Sequence, residues 1–129
     1  MSNNQLVESR ALPLSKVPVI KADATLKKAL DSMTEYRLGI ALIVNNDGNL
    51  VGVLTDGDLR RLLLNHQSPL PELLITPAIN FGTRTPVIIA STSSPEEAAN
   101  LMAEKEIWDL PVVDSSGKLI GLVHRHNLN

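Results

Sequence analysis

Apolar residues recur along this chain in two different rhythms, and the rhythms mark its elements. Leu26, Ala29, Leu30 and Met33 fall at i, i+3, i+4 and i+7, the stripe of an amphipathic helix. Asp23-Ala24-Thr25 ahead of it supplies a helix-start signal. Ile40-Ala41-Leu42-Ile43-Val44 is a short β-rich run without polar alternation, which predicts a strand buried on both faces. Asn45 to Asn49 then reads as a turn, and Leu50-Val51-Gly52-Val53-Leu54 as the returning strand. Val17 to Lys21 is a short apolar strand before the helix. Asp58 to Asn65, with Leu59, Leu62 and Leu63 at helical spacing, predicts a helix after the hairpin.

The same order returns further along. Pro18-Val19-Ile20-Lys21-Ala22 matches Pro86-Val87-Ile88-Ile89-Ala90, 68 residues later. One inserted residue near Ser93 moves the offset to 69, and Ala29, Met33, Glu35 and Val44 then pair with Ala98, Met102, Glu104 and Val113. Gly48, Leu50, Gly52 and Leu59 pair with Gly117, Leu119, Gly121 and Leu128. Glycines, proline and apolar positions keep one register, so the chain is a tandem duplication. In the second copy Ser94-Pro95-Glu96-Glu97 is a fuller helix start, with an N-cap, a first-turn proline and a reciprocal glutamate.

Each copy therefore predicts strand, helix, strand, strand, helix, an α+β fold of two β-α-β-β-α repeats packed as one pseudo-symmetric module. The expected organisation is a lead-in over 1–16, a first repeat over 17–65, a linker over 66–84 and a second repeat over 85–129. Neither copy of this size buries much core alone. The second repeat reaches Leu128-Asn129 before its last helix is complete, which reads as a fragment of a longer chain. Met33 and Met102 are expected in the core. Trp108 replaces Gly39 of the first copy, beside a buried strand, and is expected to cap the core edge or mark an interface.

Composition narrows the chemistry. Twelve basic and 14 acidic residues among 129 leave a net charge of -2, so no nucleic-acid or membrane-surface footprint is expected. Zero cysteines exclude disulfides, thiolate metal sites and a Cys nucleophile. One Trp, one Tyr and one Phe give no aromatic platform for single strands. No run approaches the length of a spanning helix, and the first residues lack a signal-peptide pattern. A soluble, cytoplasmic domain is expected.

The duplicated pattern, with Gly48-Asn49-Leu50-Val51-Gly52-Val53-Leu54-Thr55-Asp56-Gly57-Asp58-Leu59-Arg60-Arg61 as its most specific stretch, resembles the cystathionine-β-synthase (CBS) domain pair, or Bateman module. Leu110-Pro111-Val112-Val113-Asp114 through Gly121 is similarly typical. The resemblance runs from about Val17 to Leu128. It implies a regulatory or assembly module attached to an enzyme, channel or transporter, often with adenine nucleotides bound in clefts between the copies. The Thr-Asp-Gly-Asp-Leu-Arg-Arg version is similar to pairs fused to sugar nucleotidyltransferases of the mannose-1-phosphate guanylyltransferase type, or to arabinose-5-phosphate isomerases. The linker from Thr76-Pro77 to Arg84-Thr85-Pro86 resembles the nucleotidyltransferase pairs, and His124-Arg125-His126-Asn127-Leu128 the isomerases. The attached catalytic domain is expected to be the nucleotidyltransferase.

Thr55 and Asp58 sit where a strand gives way to a helix, a junction that favours phosphate and where a carboxylate can accept both ribose hydroxyls. The resemblance implies that Asp58 holds a ribose, that Thr55 touches ribose or phosphate, and that Arg60 and Arg61 neutralise phosphate. Ile20, Leu42 and Ile43 would wall the adenine, with backbone groups near Lys21 and Ala22. The same Thr55 and Asp58 also form a capping-box-like helix start that needs no ligand. In the second copy His124 stands for the Thr and Asn127 for the Asp, so one occupied site per pair is expected. His124 and His126 would share a strand face, but without a third ligand a metal reading gives way to surface or phosphate-facing histidines.

Asp56-Gly57-Asp58 opens a helix in a short aliphatic repeat, which argues against the Asp-x-Asp metal motif of glycosyltransferases. No catalytic constellation stands out, and no enzyme activity, metal or required cofactor is expected. The expected regulatory ligand is AMP, ADP or ATP, with a nucleotide-sugar as the alternative. A homodimer is expected on the leading reading too; the competing reading is a ligand-free module whose role is to drive that homodimerisation, through exposed apolar helix faces such as Leu62-Leu63-Leu64.

Overall fold

In a computed structural model describing residues 5–128, seven strands and four α-helices follow one another: β1 (Leu12–Pro13), β2 (Val19–Lys21), α1 (Leu26–Tyr36), β3 (Ile40–Val44), β4 (Leu50–Thr55), α2 (Asp56–Asn65), α3 (Leu70–Leu74), β5 (Ile89–Ala90), α4 (Pro95–Lys105), β6 (Asp109–Val113) and β7 (Leu119–His124). Two compact units result. One comprises residues 17–86; the other joins residues 87–128 to residues 5–16.

In the first unit the sheet order is β2-β3-β4. β2 runs parallel to β3, which forces the crossover that α1 supplies, and β3 and β4 form an antiparallel hairpin. All five residues of β3 are buried, as an apolar run without alternation requires. Thr25 caps α1 by accepting the Lys28 N–H at 3.2 Å. Leu26, Ala29 and Met33 turn into a core with Ile20, Ile43, Leu54 and Leu62.

In the second unit the order is β1-β7-β6-β5: β5 runs parallel to β6, β6 and β7 form an antiparallel hairpin, and β1 adds antiparallel to β7. Ser94 and Glu97 cap α4 reciprocally, with Pro95 in the first turn. Ala98 and Met102 enter a core with Ile89, Leu110, Val112 and Val123. After β7 the chain makes a four-residue 3-10 turn, Arg125–Leu128, where the first unit continues into α2.

Two stretches differ from the sequence expectation. Residues 66–84, read as a linker, contribute α3, a 3-10 turn at Ala78–Asn80, and the buried Leu73, Ala78 and Ile79 of the first core. The Ala78 N–H donates to the Ala24 carbonyl at 2.8 Å, the Leu26 N–H donates to the Thr76 carbonyl at 2.8 Å, and Thr83 bridges Val53 of β4. Residues 5–16, read as a lead-in, place Val7 at 0% exposure in the second core and pair β1 with β7. Pro13 in the first stretch, and the prolines and threonines of residues 66–84, masked apolar residues that bind both stretches to a hairpin. Each hairpin is thus flanked by a segment from outside its repeat.

Both hairpins turn through a glycine with positive φ, Gly48 at 83° and Gly117 at 89°. An Asx side chain organises each turn. Asn45 Oδ1 accepts the N–H groups of Asp47 and Asn49 at 2.9 and 3.0 Å, and Asp114 Oδ1 accepts those of Ser116 and Lys118 at 2.9 and 3.0 Å. The Ser116 hydroxyl donates to the same oxygen at 2.7 Å. That bond and the backbone donors hold the Asp114 carboxyl below the usual aspartate value. A depressed folded pKa stabilises above the unfolded value, about 3.9, and the contribution is lost as pH falls through the folded one. The melting temperature of the wild type relative to Asp114→Asn, in which the amide oxygen keeps the turn as Asn45 does, is therefore expected to drop on acidification from pH 5 to 2. A difference that stays constant over that range would show that the Asp114 charge contributes nothing.

Candidate functional site

The end of β4 and the start of α2 place Thr55 and Asp58 as the sequence pattern required. Thr55 Oγ1 accepts the Asp58 N–H at 3.2 Å, and Asp58 Oδ2 accepts the Thr55 N–H at 2.9 Å, a complete capping box. The second carboxylate oxygen, Oδ1, lies 2.7 Å from Arg61 Nη2. Asp58 is 8% exposed, whereas the Arg61 side chain is 60% exposed. The helix cap is therefore present, and a charged carboxylate remains at the helix start with one oxygen held by a guanidinium that solvent can reach. Arg60 is exposed and makes no ion pair among the described residues.

The proposed adenine walls require correction. Ile20 is 4% exposed, and Leu42 and Ile43 are 0% exposed. Ile20 and Ile43 are register partners in β2 and β3 and pack on Leu26, Ala29 and Leu54, so they are core and offer no face to a ligand. Lys21 is exposed at the end of β2, and Ala22 packs half-buried on the same core.

A cavity of about 180 Å³ does adjoin Asp58, lined by Asp58, Arg61, Leu62, Asn65, His66, Asn80 and Phe81. Phe81 meets the His66 ring edge-on, with centroids 5.9 Å apart at 84°. Sequence reasoning missed Asn65, His66, Asn80 and Phe81. The helical spacing of Asp58, Arg61, Leu62 and Asn65 was a usable signal; the other three come from residues 66–84, which looked like a linker.

The corresponding junction of the second unit keeps half of this arrangement. The His124 N–H donates to Asn127 Oδ1 at 3.0 Å, as Thr55 does to Asp58. His124 Nδ1 lies 2.8 Å from Asp109 Oδ1, a polar pair where the first hairpin sets Ile40 opposite Thr55. The His126 ring approaches His124 with centroids 4.8 Å apart. Among the described residues no group of three or more His, Asp or Glu gathers to hold a metal. Trp108 is 54% exposed and carries the Arg125 guanidinium 4.9 Å from its ring centroid, so it does not cap the core. Met33 and Met102 are core residues, at 5% and 2% exposure. None of the four described helices is long and apolar enough to cross a membrane.

Comparison with known proteins matches this geometry. The CBS domain profile matches residues 10–65 and 79–128. A CBS domain-containing protein of Dictyostelium discoideum is 37% identical over 115 residues, covering 84% of this chain and 79% of that protein. An arabinose 5-phosphate isomerase of Francisella tularensis is 29% identical over 118 residues, 88% of this chain and 33% of the isomerase. The chain spans about a third of the length of several of the curated relatives it matches. Among solved structures, CBSX2 in complex with AMP, a CBS-pair protein of Arabidopsis thaliana, superimposes with a TM-score of 0.82 at 28% identity, covering 95% of this chain and 92% of that one. With two matched segments, two sheets of like topology and a duplicated strand-to-helix junction, the chain belongs to the CBS domain family as a tandem pair.

Proposed function

We propose that this CBS pair is a regulatory module that binds one adenine nucleotide at the Thr55–Asp58 junction. The observation that carries the reading is the buried carboxylate at the start of α2, paired with an exposed arginine and opening on a cavity. The ribose diol hydrogen-bonds Asp58, and Arg61 turns from that carboxylate to the phosphate, exchanging one anion for another. Arg60 adds a second positive charge on the same helix. The AMP held by CBSX2 supports the choice of ligand class; a nucleotide-sugar is the alternative. The His124–Asn127 junction lacks the acidic ribose acceptor and its His124 ring is engaged by Asp109, which supports one nucleotide per chain.

The module belongs to a longer cytoplasmic protein, and its role there is regulatory rather than catalytic. The Thr-Asp-Gly-Asp-Leu-Arg-Arg stretch favours a sugar-phosphate enzyme as the attached domain. A sugar nucleotidyltransferase is the first choice; the Francisella isomerase supports the alternative. Binding biases that enzyme only by the difference in nucleotide affinity between its two states.

The second reading is a ligand-free module that assembles the protein as a homodimer. It is favoured by Leu63, Leu64, Leu70 and Ile75, which are 64%, 76%, 55% and 74% exposed on or beside α2 and α3. A thermal-shift panel of AMP, ADP, ATP, S-adenosylmethionine and nucleotide-sugars separates the two. One adenine nucleotide is expected to raise the melting temperature, since ligand at a hundredfold excess over its Kd adds about 2.7 kcal/mol. A flat panel together with a dimer in light scattering would leave the assembly reading.

A further inference from the structure

The two hairpins end on the same backbone contact with opposite side chains around it. In the first unit the Asp56 N–H donates to the Gly39 carbonyl at 3.0 Å, and in the second the Arg125 N–H donates to the Trp108 carbonyl at 2.8 Å. Asp56 and Arg125 each fold back over the residue they bond. The Asp56 carboxylate lies over bare backbone, 2.5 Å from where a Cβ of Gly39 would stand. The Arg125 guanidinium lies over the Trp108 ring, 4.9 Å from its centroid. One hairpin end is therefore an acidic hollow, and the other a cationic aromatic knob.

The inversion extends to the flanks. Arg37 and Glu106 hold equivalent left-handed positions after α1 and α4, with φ of 57° and 55°, and carry opposite charges. All six of these residues are exposed, and Arg37, Asp56, Glu106 and Arg125 make no ion pair among the described residues. Exposed tryptophan and arginine are the residue types that anchor protein interfaces, and neither Trp108 nor Arg125 serves the core. An acidic peptide would fit the knob and leave the hollow unused; a basic one would do the reverse. A second copy of this chain carries the complement of both.

We propose that Trp108 and Arg125 of one copy seat on Gly39 and Asp56 of a second, and that a two-fold axis makes this contact twice, head to tail. The Trp108 ring covers the exposed Gly39 backbone and Arg125 pairs with Asp56, while Glu106 and Arg37 bring opposite charges to the rim. In a two-fold dimer residue i meets j and j meets i, so each end finds its complement. Like unit on like would bring Arg125 against Arg125 and leave both Asp56 carboxylates without a partner. The inference rests on the homodimer expected above and adds which faces meet; it does not depend on the nucleotide.

Sedimentation of the 129-residue chain over a dilution series, with tryptophan emission read on the same samples, tests it, because Trp108 is the single tryptophan. Emission is expected to shift to the blue in step with dimer formation, as the ring leaves water. Trp108→Ala, Arg125→Glu and Asp56→Arg are each expected to raise the dimer Kd roughly tenfold or more. Asp56→Arg and Arg125→Glu combined in one chain are expected to dimerise roughly tenfold more tightly than either alone. Circular dichroism checks that each variant folds; should Asp56→Arg unwind the start of α2, the emission shift and Trp108→Ala decide the matter. A dimer with unchanged emission, equally strong in Trp108→Ala, overturns the contact and leaves assembly to another face, such as that of Leu63 and Leu64. A dimer weakened by each charge variant and not restored by the pair overturns the head-to-tail order. A wild type that stays monomeric at every concentration overturns the contact and the homodimer together, and the AMP-induced melting shift still tests the nucleotide.

Discussion

Alanine at Gly52, Gly82 or Gly121 is expected to lower stability by about 2 kcal/mol each, a fall of roughly 6–12 °C in the melting temperature. The reason is the pair of segments that flank the hairpins. A Cβ on Gly52 would stand 2.9 Å from the Thr83 carbonyl oxygen, and one on Gly121 would stand 2.7 Å from that of Leu12. A Cβ on Gly82 would collide with the Val53 carbonyl. These neighbours are backbone atoms locked by pairing. The Val53 N–H donates to Thr83 at 3.0 Å, the Thr83 N–H returns to Val53 at 2.8 Å, and Leu12 and Pro13 pair with Leu122 and Gly121. Neither side can yield without breaking its bonds. Gly57 is the control: its nearest neighbour is the flexible Arg61 guanidinium at 3.4 Å, and alanine inside α2 should gain about 0.5–1 kcal/mol. Melting curves for the four variants check this. If the first three melt with the wild type, residues 12–13 and 82–83 do not lie against the hairpins.

Removing the Asp58 side chain is the second large effect, and it divides into two parts. Asp58→Ala leaves the Thr55 N–H without its acceptor and Arg61 without its partner at a nearly buried position, at an expected cost of about 1–2 kcal/mol. It also abolishes the nucleotide-induced stabilisation, about 2.7 kcal/mol at a hundredfold excess of ligand. Asp58→Asn separates the parts. Its amide oxygen keeps the cap, as Asn127 does by accepting the His124 N–H, but the charge that receives the ribose is gone. Melting with and without AMP should show Asp58→Asn within about 1 kcal/mol of wild type alone and unresponsive to ligand. A full response in Asp58→Asn would reduce Asp58 to a helix cap.

The parts of the fold and site that were legible in the chain are the local ones. The α1 and α4 stripes, the apolar run of β3, and the Thr55–Asp58 and Ser94–Glu97 caps each depend on residues within one turn or one strand of each other, and each stands where its spacing placed it. The error over Ile20, Leu42 and Ile43 has the same origin. An apolar residue beside a candidate site reads equally as wall or as core until the packing is known, and pairing of β2 with β3 makes these three core.

The sequence by itself determined that this is a duplicated β-α-β-β-α chain of the CBS type with one acidic junction at Asp58, because side-chain period, caps and turn glycines act over short separations. Only the tertiary structure decided what residues 5–16 and 66–84 do, since their places are set by backbone pairing with strands distant in sequence. It likewise decided which groups stand around Asp58. Phe81, Asn80 and His66 reach the α2 face through a segment whose composition looked like loop, and its burial depended on the core already formed by the hairpin and α1. A backbone that must satisfy its N–H and C=O groups after a long excursion pairs with whatever edge is near, and spacing within the chain does not encode that choice.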